Sequence, residues 1–271
     1  MNTVRIGSQK LLCSAPFRGV LFLAVLCGGG PVDAAEIAVA AASDMSFAFK
    51  EAAGQFERQT GTHVKVTLGS SGNLFSQIQN GAPFDAYFSA DIRYPQKLEE
   101  SGRAVSGTLY RYAIGRLVLW LPNRLGLPSP QQGLRTLLDG AIRRIAIANP
   151  KHAPYGRAAV AAMQHAGIYE TIKDKLVLGE NISQAAQFVE SGAADAGLIA
   201  LSLAVVPAMQ QAGRYWEIPQ EAYPPIEQGA VVLKNGTNRE GAKAFLLFLQ
   251  RREGQDILRR YGFVLPETSR P

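Results

Sequence analysis

From Ile37 onward, short apolar runs alternate with segments whose apolar residues recur every three or four positions. The runs at 37–41, 64–68, 86–89, 117–121, 144–148, 176–178, 197–200, 215–218 and 230–233 predict strands. Helices are predicted in the intervals. Over 46–60, Phe49, Ala52, Ala53 and Phe56 share one face, and Gly61 follows as a C-terminal cap. The helix over 72–80 ends at Gly81 in the same way. A helix near Pro154 begins with proline in its first turn, where a missing N–H costs least. Helices over 183–190, 238–250 and 254–261 complete the pattern. The alternation predicts an α/β chain of parallel-rich sheets flanked by helices, in two lobes with a ligand cleft between them at the carboxyl ends of strands. Residues 36–115 and 228–271 are assigned to lobe 1 and residues 116–227 to lobe 2.

The first 35 residues stand apart. Arg5, Lys10 and Arg18 precede an apolar run from Gly19 to Cys27, and small residues lead to Val32-Asp33-Ala34-Ala35. That is the three-part layout of a secretory signal peptide, with cleavage expected after Ala34 or Ala35. The run is too short for a permanent membrane anchor. Leu26 before Cys27 argues against lipid attachment at that cysteine. Both cysteines lie in this leader, so the remaining chain of about 235 residues, a size that suits two lobes, would have no disulfide, thiolate nucleophile or cysteine metal site. Loss of three basic residues and one acid (Asp33) takes the net charge from +6 to +4. No basic cluster points to nucleic acid.

Two stretches share one design. Ile37-Ala38-Val39-Ala40-Ala41-Ala42-Ser43 and Val64-Lys65-Val66-Thr67-Leu68-Gly69-Ser70-Ser71-Gly72 each run from strand through serine into helix. Such a junction offers backbone N–H groups and a hydroxyl at the positive end of a helix, which is an anion site. Tyr155, after Pro154, and Ile182, before 183–190, mark two more helix starts. The commonest use of a serine at such a place is a plain N-cap. Four helix starts on one secreted two-lobed chain favour capture of an oxyanion.

Catalytic alternatives are thin. His63, His152 and His165 lack metal-ligand spacing. His63 is expected at a strand entry, His165 near a helix end, and His152 in a loop facing the cleft with a structural role. Around Ser71, Gly69 fits a nucleophile elbow but Asn73 does not. Glu99-Glu100 read as surface charge. Asp85 and Asp91 flank a strand and could cap helices or bond the hinge.

Ala40-Ala41-Ala42-Ser43, Ser70-Ser71-Gly72-Asn73-Leu74, the run from Gln77-Ile78-Gln79-Asn80-Gly81-Ala82-Pro83 to Asp85-Ala86-Tyr87-Phe88-Ser89-Ala90-Asp91, Asn149-Pro150-Lys151-His152-Ala153-Pro154-Tyr155-Gly156 and Arg260-Tyr261-Gly262-Phe263 resemble the periplasmic molybdate-binding (ModA) proteins of ABC importers. The resemblance spans most of the chain beyond the leader. It implies a type II periplasmic-binding-protein fold, no enzymatic activity, no cofactor and no direct metal ligand. The ligand would be molybdate or tungstate, held as the oxyanion by the hydroxyls of Ser43 and Ser71 and the backbone N–H groups of Tyr155 and Ile182. A tyrosine hydroxyl used by some members falls on Ala200 and is missing; the Tyr155 hydroxyl is the candidate replacement. The implied protein is a periplasmic monomer whose partners are a permease and its ATPase.

Asp44 sits awkwardly in such a site, because a carboxylate repels a dianion. Its side chain is expected to turn away toward the helix N-terminus. Uncharged donors suit an ion that offers acceptors and no proton, and lobe closure would complete the shell. The alternatives are a binding protein for another tetrahedral oxyanion such as sulfate, a sensor domain with the same site, and a secreted hydrolase or lyase, which would need a general base in the cleft.

Overall fold

Strand β1 (Glu36–Ala42) sends Ile37, Val39 and Ala41 into one core and Ala40 into another on the opposite face, as the two-residue period of an extended chain requires. The computed structural model describes residues 35–126 and 133–266; the leader expected over 1–35, apart from Ala35, lies outside the described residues. After β1 come a 3-10 turn (Ser43–Met45), α1 (Ser46–Thr60), β2 (His63–Gly69), α2 (Ser71–Gln79), β3 (Ala86–Ser89), α3 (Arg93–Glu100) and β4 (Tyr110–Gly115). The chain continues through β5 (Leu117–Pro122), β6 (Ile145–Ala148), α4 (Pro154–His165), α5 (Tyr169–Ile172), β7 (Leu176–Gly179), α6 (Ile182–Glu190) and β8 (Ala196–Ala200). It ends with α7 (Leu201–Ala204), α8 (Pro207–Ala212), β9 (Gly213–Glu217), β10 (Ile226–Val232), α9 (Arg239–Gln250) and α10 (Arg252–Arg260).

The strands form two five-stranded sheets, ordered β2-β1-β3-β10-β4 and β7-β6-β8-β5-β9. Both follow one plan. Three strands joined through helices lie parallel, and a fourth runs antiparallel to both its neighbours: β10 in the first sheet, β5 in the second. These two strands arrive directly from the other sheet. Only Arg116 separates β4 from β5, and residues 218–225 join β9 to β10. The sheets are therefore mixed, and β4 is a strand that the apolar pattern does not predict.

Both faces of the first sheet are covered. On one, Phe49 of α1 and Phe245 of α9 meet Phe88 of β3 edge-on, with ring centroids 4.9 and 5.9 Å from it, the favourable geometry for aromatic pairs. On the other, Leu74 of α2 and Leu98 of α3 pack on Tyr87 and Val231. The second sheet buries Trp120, Leu119, Ile147 and Leu198 beneath α4 and α6. Ala42, Ala90 and Ile226, all at ends of first-sheet strands, belong to this second core. The two sheets thus meet where β1, β3 and β10 turn toward one another.

Candidate functional site

Ser43 opens the turn after β1 and is buried, with 2% of its surface exposed. Neither the turn nor α1 has a side-chain N-cap, so the plain capping role is not the one this serine plays. Its hydroxyl donates instead to Asn181 Oδ1 at 3.1 Å and accepts from the Ser183 N–H at 3.3 Å. The Ser183 hydroxyl returns a bond to the Ser43 carbonyl at 2.8 Å. Asn181 is the N-cap of α6 and also accepts from the Gln184 N–H. Ser43 therefore faces the start of the helix that begins at Ile182, across the junction between the sheets.

Ser71 is the first residue of α2 and has no exposed surface. Its hydroxyl accepts from the Ala90 N–H at 3.0 Å, an arrangement that leaves its own proton available to a ligand. Gly72, the next residue, donates its N–H to the His152 carbonyl at 2.9 Å. A side chain at Gly72 would meet that carbonyl at 2.8 Å, so only glycine permits the approach. His152 Nδ1 hydrogen-bonds Ser70 Oγ at 2.8 Å, and Asn73 bonds Glu180. His152 thus has a structural role between the sheets. His63 begins β2 and pairs with Glu57, and His165 ends α4.

Tyr155 is the second residue of α4, and Ile182 the first of α6; both are buried. First-turn N–H groups have no acceptor within their own helix, so each helix can direct such donors and its positive end at an anion. Ser43 and Ser71 come from the first sheet's side of the junction, and Tyr155 and Ile182 from the second's.

The Asp44 carboxyl interacts, as expected, with the backbone N–H groups of Asp44 and Met45 at the helix start, but the side chain also lies in the junction, which its charge does not suggest. It is buried, with 1% exposed, and its Oδ2 accepts from the Tyr155 hydroxyl at 3.0 Å and from Gln228 Nε2. Tyr112 in turn donates to Gln228 Oε1 at 2.7 Å, and Ser202 donates to the Asp44 carbonyl at 2.7 Å. Asp44 Oδ1 has no hydrogen-bond partner. Burial pushes the carboxyl up to about 6, against the opposing pull of the bonds from Gln228 and Tyr155 and, behind them, of the backbone N–H groups of Asp44 and Met45. The phenols of Tyr112 and Tyr155 are driven well above their ordinary range, chiefly by burial. Without a ligand, the Tyr155 hydroxyl, the candidate replacement for the contact expected at Ala200, donates to Asp44. Gln228, Tyr112 and Ser202 escape sequence reading. The one signal is Gln228, a neutral polar residue within an otherwise apolar strand.

A charged tie also crosses the junction. Asp91, after β3, accepts from Arg93 on its own side and from Arg157 of α4, each at 2.7 Å. Burial raises the Asp91 carboxyl, but the Arg93 hydrogen bonds and the charges of Arg93 and Arg157 outweigh that and hold it below its ordinary value. Asp85 bonds the Ala38 and Asn238 N–H groups within the first sheet. Among the described residues no cluster of histidine, cysteine and carboxylate side chains could hold a metal ion, and no helix is long and apolar enough to cross a membrane.

Residues 37–264 match the family model for bacterial extracellular solute-binding proteins. The chain is 40% identical over 247 residues to the molybdate-binding protein ModA of Rhodobacter capsulatus, covering 91% of this chain and 95% of that protein. The solved structure of the periplasmic molybdate-binding protein of Azotobacter vinelandii superposes with a TM-score of 0.79 at 36% identity, over 85% of this chain and all of that one. A sulfate-binding protein from Mycobacterium tuberculosis has the same fold (TM-score 0.70, 86% of this chain and 88% of that one) at 14% identity.

Proposed function

The chain belongs to the bacterial extracellular solute-binding proteins, and on that premise we propose that it captures molybdate, and tungstate as well, between two lobes and delivers it to an ABC importer. It is a binding protein with the two-lobed type II fold, not an enzyme. In this reading residues 36–115 with 226–271 form one lobe, since Ile226 and Glu227 belong to β10 of the first sheet rather than to the lobe 116–227 expected from sequence, and 117–217 form the other, with Arg116 and the segment 218–225 as the hinge. The leader directs export and is removed, and the protein works as a periplasmic monomer beside a permease and its ATPase.

One observation carries the reading. The hydroxyls of Ser43 and Ser71 and the first-turn N–H groups of Tyr155 and Ile182 lie on either side of the junction. They are uncharged donors, buried, and placed at helix starts. A tetrahedral dianion presents four acceptor oxygens and no proton, and such a donor set matches it. Bonds to an anion are about twice as strong as neutral ones, and helix N-termini share its charge without a lysine or arginine. The Ser43 hydroxyl would leave Asn181 for the ion. Sulfate is smaller and would be left with long hydrogen bonds in a pocket shaped to molybdate.

Thermal unfolding and calorimetric titration with molybdate, tungstate, sulfate and phosphate test this. A ligand at a hundredfold excess over its Kd stabilises by about 2.7 kcal/mol. A response to molybdate and tungstate alone is expected. An equal response to sulfate would shift the assignment to a general oxyanion carrier, and no response to any of the four would overturn it.

A further inference from the structure

Asp44 is the one described carboxylate placed inside the junction with an unused, buried oxygen: Oδ2 is bonded by Tyr155 and Gln228, while Oδ1 has no partner. An unpartnered buried oxygen of this kind is costly. Its backbone neighbour is Ser43, which the proposed function places on the ion. Molybdate cannot satisfy a charged Oδ1, because it has no proton to give. It can satisfy a protonated Oδ1, which becomes a donor. We infer that Asp44 meets the bound oxyanion as a neutral carboxylic acid, donating from Oδ1, so that capture of the dianion takes up one proton from solvent.

The proton balance is simple. The proton enters the carboxyl when the ion binds, stays on Oδ1 while hydrogen-bonded to an anion oxygen, and returns to solvent when the ion leaves unprotonated. The surroundings favour this. On α4 and β4 the facing titratable groups are the phenols of Tyr155 and Tyr112, with Tyr223 beyond Tyr155; all three are raised chiefly by burial and stay neutral. Gln228 on β10 and Ser202 on α7 carry no charge. Of the elements against the 43–45 turn, α7 has no ionisable side chain, and α6 has Glu190 at its far end. On β2, His63 and Lys65 lie near the strand start, and on α1 Lys50 is exposed. No lysine, arginine or histidine donates to the Asp44 carboxyl among the described hydrogen bonds; the backbone N–H groups of Asp44 and Met45 favour its charged form, and burial outweighs them. The carboxyl already titrates near neutrality without a ligand, and a dianion beside it would disfavour the charged form further.

The inference rests on the proposed oxyanion site, and the test separates the two. Molybdate is titrated calorimetrically into the full-length protein at about pH 7.5, in buffers of different ionisation enthalpy, and the Kd is followed from about pH 6.5 to 8.5. About one proton taken up per ion is expected, with the Kd rising about tenfold per pH unit toward the alkaline end. Asp44→Asn, which mimics the neutral acid, should take up none and lose the slope. Binding without proton uptake by the unsubstituted protein would overturn the inference and leave the oxyanion site standing, whether or not the variant folds. An identical slope in Asp44→Asn would also overturn it. So would tighter binding of hydrogen phosphate than molybdate at about pH 8, where a charged Oδ1 would act as acceptor. Failure to bind molybdate at any pH would overturn the site and the inference together.

Discussion

Arg157 of α4 reaches across the junction to Asp91, its Nη2 donating to Asp91 Oδ2 at 2.7 Å, while Arg93 holds the same carboxylate from its own side. The Asp91 side chain is only 10% exposed, so salt screens this pair less than a surface one. Because Arg93 still pairs Asp91 when Arg157 is removed, Arg157→Ala leaves no orphaned charge. It removes only the tie between the two sides. In the proposed function closure is part of binding, and a closed state disfavoured by about 1 kcal/mol lowers affinity roughly fivefold. Titration of Arg157→Ala with molybdate should find a Kd raised about three- to tenfold with little loss of unfolding stability; an unchanged Kd would remove Arg157 from the closing device.

Gly72 gives a sharper test of closure. A Cβ there would lie 2.8 Å from the His152 carbonyl oxygen and 3.0 Å from both His152 Cβ and the Tyr94 hydroxyl. Gly72 is also a helical residue of α2, where alanine is favoured over glycine by up to about 1 kcal/mol. Gly72→Ala should therefore keep or raise the ligand-free melting temperature while weakening molybdate binding at least tenfold. Parallel loss of both would mean that the contact serves folding rather than closure.

The strands and helices were legible because burial follows their periods. Val39, Phe88 and Val232 face one core and Ala40, Tyr87 and Val231 the other, and the helix over 46–60 is stopped by Gly61 at φ 71°. β4 was not legible, since Tyr-Arg-Tyr-Ala-Ile-Gly mixes a charge and two aromatics and runs into β5 with one residue between them. The candidate donors at helix starts were visible because a strand, a serine and a helix are neighbours in sequence. The surroundings of Asp44 were not. Tyr155, Ser202 and Gln228 lie 111, 158 and 184 residues away along the chain, and no local pattern announces such partners. Charge suggested that Asp44 would turn to the helix N-terminus, and the Met45 N–H does act on its carboxyl; the bonds gathered from distant elements were not legible.

In the proposed site the Ser71 hydroxyl gives the ion one bond, and Ser71 should matter for binding in proportion to it. Its oxygen already accepts from the Ala90 N–H, and a bond to a charged partner is worth about 1.5–3 kcal/mol. Ser71→Ala should raise the molybdate Kd about tenfold to a hundredfold. It also strips Ala90 of its acceptor, at a cost of about 1–3 kcal/mol to unfolding stability. Ser71→Thr, which keeps the hydroxyl, separates the two effects: recovery of affinity assigns the donor role, and no recovery despite a native melting temperature withdraws it.

Without ligand, Asp44 should make the fold less stable as pH rises. Its carboxyl titrates near 6 in the folded chain against 3.8 as the ordinary value. Between those values the folded state binds more protons than the unfolded one, so the stability contribution is fully present below about pH 4, declines toward about pH 6 and is flat above it. A shift of this size corresponds to about 3 kcal/mol at most. Asp91 works in the opposite sense, since its carboxyl is held low; its contribution is lost only as pH falls into the acid range. Urea unfolding from about pH 4.5 to 7.5 therefore isolates Asp44. Asp44→Asn keeps an acceptor oxygen for Tyr155 and Gln228 while removing the charge, so it should be more stable than the parent chain by about 3 kcal/mol at the alkaline end and by only about 1 kcal/mol at the acid end. A gap that stays constant across this range would mean that the Asp44 carboxyl does not titrate there.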